Sequence, residues 1–214
     1  MTPEMLAKLN GLDIDYLSDG SPIFTLSDGY KFTSDSILLA NKVQPDRNDT
    51  VVDFCAGSGI VGFEIAAKND FNKLKLVEID HAQCDVILQS KRFKKFKTEV
   101  EVVNSKIQEL ENLITKNSVD IVVCNPPFFK VGAGKMNKNP KIAIARHEIE
   151  LTLKEIFVSA KRILKNEGKF FLLHIKSRDK EIEKLCKSHN FKIADKQELD
   201  GKLKRVIYTL INKE

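Results

Sequence analysis

Two short segments are apolar almost without interruption: Val51-Val52-Asp53-Phe54 and Val119-Asp120-Ile121-Val122-Val123-Cys124. A strand with one wetted face alternates polar and apolar residues. A strand covered on both faces reads as a near-continuous apolar run. The two runs therefore predict the middle of a parallel sheet with helices on both sides. Further strands are expected at Thr50–Phe54, Lys73–Ile79, Glu99–Asn104, Val119–Asn125, Lys169–His174, Phe191–Lys196 and Arg205–Ile211. Helical patterns fall at Ser34–Val43, Ile60–Lys68, His81–Phe96, Leu153–Leu164 and Asp179–His189, with a weaker one after Ser105. This alternation predicts a doubly wound, Rossmann-like α/β fold. The last two strands have no helix between them, and Asp200-Gly201 sits in their connection. They should close a seven-stranded, mostly parallel sheet as a C-terminal antiparallel hairpin.

Ahead of Thr50, short strands are expected at Ile23–Leu26 and Tyr30–Phe32, and a helix starting near the cap-like Ser34-Asp35. This reads as a cover, residues 1–49, on a catalytic core, residues 50–214, the whole of 1–214 forming one domain. A chain of 214 residues buries roughly 70% of its unfolded surface, so it needs no staples. The four cysteines (Cys55, Cys84, Cys124, Cys186) form no CxxC pair, and no His/Cys cluster has zinc spacing, so no metal is expected and the thiols should be free. No apolar run approaches the ~18 residues that span a bilayer, and the first residues lack signal-peptide order. A cytoplasmic protein without membrane contact is expected, monomeric for want of any oligomerisation element. The net charge of +5 suits a polyanionic partner.

Asp53-Phe54-Cys55-Ala56-Gly57-Ser58-Gly59-Ile60-Val61-Gly62 leaves the first buried strand and opens a helix. Glycines let the backbone turn tightly and approach a ligand, and the helix N-terminus offers free N–H groups. The Gly57-x-Gly59-x-x-Gly62 spacing also fits a dinucleotide. Two acids favour S-adenosylmethionine instead. Asp53, at the turn, is placed to hold an ammonium directly or through water, where a pyrophosphate would be repelled. Glu78, at the end of the next strand, is placed for ribose hydroxyls, with Asp80 as its backup. Cys55, Ala56, Gly57, Gly59, Ile79, Ser105 and Asn125 complete the expected cofactor contacts.

The fourth strand ends in Cys124-Asn125-Pro126-Pro127-Phe128-Phe129. Ligands in open α/β sheets sit at the carboxyl ends of strands, so this loop should lie beside the glycine turn. Two prolines stiffen it and remove two donors, leaving acceptors. A ring-conjugated exocyclic amine carries two N–H donors, which the Asn125 side-chain oxygen and the Pro126 carbonyl can accept. Phe128 can stack on the ring. Asn125, Pro126, Pro127 and Phe128 are thus the expected catalytic set, and Phe129 stays open between core and substrate contact.

These residues resemble the amino-group class I methyltransferases. Tyr30-Lys31-Phe32-Thr33-Ser34-Asp35-Ser36-Ile37-Leu38-Leu39-Ala40 and Ala145-Arg146-His147-Glu148 are similar to elements of the bacterial tRNA1(Val) (adenine-37-N6)-methyltransferases. The resemblance runs from about Gly20 to Ile211. It implies N6 methylation of an adenine beside a tRNA anticodon, with Asp53, Gly57 and Glu78 on the cofactor and Asn125, Pro126 and Phe128 on the adenine. One departure stands out. The family's acidic contact to the cofactor adenine is replaced by Asn104-Ser105-Lys106-Ile107-Gln108, where Ser105 or Asn104 is the expected substitute.

From Lys130 to His147 the chain holds Lys130, Lys135, Lys138, Lys141 and Arg146 and no acid. The stretch directly follows the catalytic loop. Phe129, Lys130, Lys135, Lys138 and Arg146 are therefore expected at the RNA, His147 being open between phosphate contact and structure. Rival acceptors for the same motif are protein glutamine amides, rRNA guanine N2 and DNA adenine. A nicotinamide-binding oxidoreductase rests on the glycine spacing alone.

Overall fold

The computed structural model describes residues 2–29, 32–130, 148–201 and 203–214. In chain order the elements are α1 (Pro3–Asn10), β1 (Leu12–Tyr16), β2 (Pro22–Leu26), α2 (Ser34–Lys42), β3 (Thr50–Phe54), α3 (Ile60–Lys68), β4 (Lys73–Glu78), α4 (His81–Lys91) and β5 (Glu99–Asn104). A 3-10 helix (Ile107–Asn112) and β6 (Val119–Cys124) follow, then α5 (Leu153–Ile163), β7 (Leu164–Ile175), α6 (Asp179–Ser188), β8 (Phe191–Leu199) and β9 (Arg205–Asn212).

Seven strands form one sheet in the order β5-β4-β3-β6-β7-β9-β8. The pairs from β5 to β7 are parallel, and β9 runs antiparallel to both β7 and β8. Side chains of a strand alternate between faces, and the core divides accordingly. Val52, Phe54, Val122 and Cys124 join one cluster, and Val51, Ile121 and Val123 join the other. Helices cover both faces, which is why β3 and β6 read as apolar runs. The chain enters at β3, moves out through β4 and β5, and returns to β6 on the other side of β3. That reversal opens a crevice at the carboxyl ends of β3 and β6, where register sets Phe54 beside Cys124 and Val77.

The antiparallel β1–β2 pair lies over α4, with Ala7, Phe24 and Val86 at its core and the Phe24 amide donating to Ser90 Oγ at 2.9 Å. Neither α1 nor β1 is among the expected elements. Phe32 lies outside any strand, correcting the expected Tyr30–Phe32 strand; Tyr30 and Lys31 fall outside the described residues. Thr33, not Ser34-Asp35, is the N-cap of α2. Helix α4 stops at Lys91 instead of Phe96, because Phe93 turns back to pack edge-on against Phe24 at 5.7 Å. The start of α5 follows local rules: the Thr152 hydroxyl accepts from the Glu155 amide at 3.3 Å and the Glu155 carboxylate accepts from the Thr152 amide at 2.7 Å, a reciprocal cap. No helix among the described residues is long and apolar enough to cross a membrane.

Candidate active site

Between Phe54 and Ile60 the chain must leave the sheet and start a helix within five residues. It does so through left-handed backbone at Cys55 (φ 58°), Gly57 (φ 55°) and Gly59 (φ 84°). The Gly59 amide closes the turn on Ala56 O at 2.8 Å. The Gly57 amide donates to Glu78 Oε2 at 2.8 Å, tying the turn to the end of β4, while Glu78 Oε1 accepts from the Asp80 amide at 3.0 Å. Further along, a Cβ on Gly62 would fall 2.4 Å from Leu76 Cδ2. Only glycine lets α3 lie this close to β4.

Asp53 lies beneath this turn. It is 1% exposed, its Oδ2 accepts from the Gly62 amide at 2.9 Å, and burial pushes its carboxyl up to about 8. It does not line the cavity, and its carboxyl braces the turn from beneath through the Gly62 amide. Gly59 is likewise off the lining and shapes the turn.

Above the strand ends lies a cavity of about 590 Å³, within the roughly 300–1,000 Å³ of small-molecule sites. Cys55, Ala56, Gly57, Glu78, Ile79 and Ser105 line one end, as expected. The Glu78 carboxyl, buried and thereby raised above the usual carboxylate range, keeps lone pairs beyond its two backbone bonds. Acceptors for a diol, a tight backbone turn and the N-terminus of α3 together fit an adenosyl cofactor. Asn104 stays off the lining, its amide donating to Glu78 O and Ile79 O at 3.0 Å each. Near Ser105 the wall is completed by residues that no sequence signal marked. Glu150 stands 3.4 Å from Lys106 Nζ, and Gln108 Nε2 donates to Glu150 O at 2.9 Å.

Asn125, Pro126, Pro127, Phe128 and Phe129 line the other end. Asn125 Nδ2 donates to the hydroxyl of buried Ser36, the third residue of α2, at 3.2 Å. With the nitrogen committed, Oδ1 is the atom left to accept. Phe128 is half-buried, its ring centroid 5.4 Å from that of His174. His174 is fully buried; its Nδ1 accepts from the Ile175 amide at 2.9 Å, which leaves the proton on Nε2. Burial, reinforced by the Arg178 cation, lowers its pKa to about 3, so it backs the aromatic ring as a neutral side chain. Asp35, also in α2, pairs with Arg205 at the start of β9, and both line this end. Phe129, left open by the sequence, faces the cavity.

Lys130, expected at the RNA, is exposed and has its Nζ 3.0 Å from Glu181 Oε2. Arg178 joins it there, with Nε 2.8 Å from Glu181 Oε2 and Nη2 2.9 Å from Glu148 Oε1. The Glu148 amide donates to Phe129 O at 2.7 Å. Both flanks of the basic stretch are therefore tied to one place. Lys135, Lys138, Arg146 and His147 lie outside the described residues. Among the described residues no group of three or more His, Cys, Asp or Glu is arranged to hold a metal.

A sheet of this order, with its antiparallel last strand and its crevice between a glycine turn and an Asn-Pro-Pro-Phe loop, has the architecture of class I methyltransferases. Solved structures share it. The tRNA m1G37 methyltransferase of M. jannaschii matches with a TM-score of 0.67 over 95% of this chain and 55% of that one, at 18% identity. M. jannaschii TYW2 in complex with AdoMet matches with a TM-score of 0.64 over 95% and 87%, at 14% identity.

Residues 30–195 match the model of the methyltransferase small domain, and the chain belongs to that family. It is 27% identical over 143 residues to the tRNA1(Val) (adenine(37)-N6)-methyltransferase of Dyadobacter fermentans, covering 67% of this chain and 58% of the relative. It is 29% identical over 138 residues to the release factor glutamine methyltransferase of Mycoplasma mycoides subsp. mycoides, covering 60% and 47%. The chain thus spans little more than half the length of the Dyadobacter relative.

Proposed function

We propose that this protein transfers a methyl group from S-adenosylmethionine to the N6 amine of adenine in tRNA, at position 37 beside the anticodon of a tRNA1(Val)-type substrate. One observation carries the reading: Ser36 holds the Asn125 amide nitrogen, so Asn125 turns an acceptor toward the cavity. Bound there, S-adenosylmethionine supplies a methyl group on a positively charged sulfur. Asn125 Oδ1 and the Pro126 carbonyl accept the two N–H bonds of a planar amine and aim its lone pair across the cavity. Such positioning contributes about 7–11 kcal/mol in favourable systems. Stacking on Phe128 contributes about 1–3 kcal/mol by comparison with base–aromatic contacts.

No general base is needed before transfer, because the methylated amine sheds its proton afterwards to water. His174 is unsuited to that task, being buried with its only free nitrogen already protonated. Glu78 would hold the ribose hydroxyls, and the turn at Cys55–Gly57 would offer its backbone groups to the cofactor. The basic residues Lys135, Lys138 and Arg146 are assigned to RNA phosphates, and the cell compartment is the cytoplasm, where tRNA is found.

The test is transfer of radiolabelled methyl to tRNA lacking this modification, with nucleoside mass spectrometry of the product. N6-methyladenosine is expected, and incorporation no higher than that of the Asn125→Ala variant rejects the reading. Label in protein instead of RNA would assign the amine to a glutamine side chain, the acceptor named for the Mycoplasma relative.

A further inference from the structure

The turn between β8 and β9 brings Leu203 to the cavity. Leu203 and Arg205 line the wall there, together with Asn125 and Phe129. A turn tip facing water ordinarily carries Gly, Asn, Asp or Ser. Beside the usual Asp200-Gly201, this one presents Leu203, 40% exposed, followed by exposed Lys204.

The tip is held firmly. Arg205 Nη2 donates to Asp200 O at 3.2 Å, and the Lys176 amide donates to Lys204 O at 2.9 Å. Arg205 Nη1 pairs with buried Asp35. A Cβ on Gly201 would come within 2.6 Å of Arg205 Nη2, so the guanidinium packs directly on the turn. Asp35 is followed in α2 by Ser36, whose hydroxyl holds Asn125. Two consecutive residues thus fix the tip of one loop and the amine acceptor of another.

The geometry points to Leu203 as an apolar wedge for RNA, one that enters the base stack beside the target adenine and fills the gap left when that adenine turns into the cavity. The inference rests on the adenine reading above. A base in a folded loop must be unstacked before Asn125 can reach its amine, and splaying a loop base costs less than splaying a duplex base. Leucine is among the side chains that nucleic-acid-bending proteins insert between bases. Charge selects the occupant: Lys202 and Lys204 flank the leucine in the sequence, and the chain carries a net +5, which suits phosphates on either side of a splayed nucleotide.

The test uses the full chain with S-adenosylhomocysteine and an anticodon stem-loop carrying 2-aminopurine next to the target adenine. Wild type should raise the fluorescence on binding, as the neighbouring base loses its stacking partner. Leu203→Ser should abolish that rise and Leu203→Phe should retain it. In methyl transfer, the ratio of kcat/KM on the stem-loop to that on an unstructured oligonucleotide should fall roughly tenfold in Leu203→Ser. An unchanged ratio, including equal loss on both RNAs, overturns the wedge. A wild type that methylates RNA but gives no fluorescence change overturns the wedge and leaves the adenine reading standing. No transfer to either RNA by the wild type overturns both.

Discussion

Replacing Asp53 by asparagine removes one buried carboxyl while keeping its shape and an oxygen for the Gly62 amide. In the folded protein burial pushes this carboxyl up to about 8, against 3.8 for the ordinary side chain. Between those values the folded state holds a proton that the unfolded chain has released. Its stabilising contribution is complete below the lower value and is lost as pH rises through the upper one. The slope approaches about 1.4 kcal/mol per pH unit. From about pH 6.5 to about pH 8 it integrates to roughly 1.6 kcal/mol of lost stability.

His174, whose folded value near 3 lies below its ordinary 6.5, acts only at the lower edge of that window and acts equally in both proteins. Lys94, lowered to about 8 by burial, begins to act only at the upper edge, and it acts equally in both proteins. Urea melts of wild type and Asp53→Asn at constant ionic strength, across this window, provide the measurement. Wild type should lose stability relative to the variant as pH rises. Parallel curves for the two proteins would refute a protonated Asp53 beneath the turn.

Three further expectations follow from the site. Ser36→Ala should release the Asn125 amide and lower kcat about tenfold or more, a misplacement effect, with S-adenosylhomocysteine affinity by calorimetry changed little. Glu78→Gln should weaken cofactor binding by about 1–3 kcal/mol through lost charged hydrogen bonds, seen as a rise in Kd with RNA affinity retained. Gly62→Ala should destabilise the fold by about 1–3 kcal/mol through overpacking against Leu76, read as a lower urea midpoint; an unchanged midpoint would mean that α3 shifts freely.

Strand β3, strand β5 and helix α3 match their sequence expectation to the residue. Their limits are set locally: an apolar run fixes β3, the alternation of Glu99-Val100-Glu101-Val102 marks β5, and the glycine turn fixes where α3 begins. Asn125 of the Asn-Pro-Pro-Phe loop and Glu78 were legible for a related reason, since both stand where a buried strand stops. The cap signals of α1, Thr2 before Pro3 and Gly11 at φ 62°, are also present in the sequence. They frame only eight residues with one buried side chain, too little apolar periodicity to announce a helix. Where α4 ends depends on Phe24, nearly 70 positions away from Phe93, so helical periodicity overran it.

Other parts of the site were closed to sequence reading for the same reason. Asp35 and Arg205 stand 170 positions apart, and nothing local in either segment names the other. Glu150 reaches the cavity only because the chain returns from the basic stretch at that point. Asp53 stood in the right motif but on the buried side of its turn. Alternation along a strand predicts the face, whereas the depth of a side chain under a turn depends on how closely α3 packs.

The ion pairs that join Lys130, Glu148, Arg178 and Glu181 bring the exit and the return of the basic stretch to one anchorage on the β7–α6 side of the protein. The residues on either side of that stretch thus share one set of ion pairs, separate from the bond that holds Asn125 to Ser36.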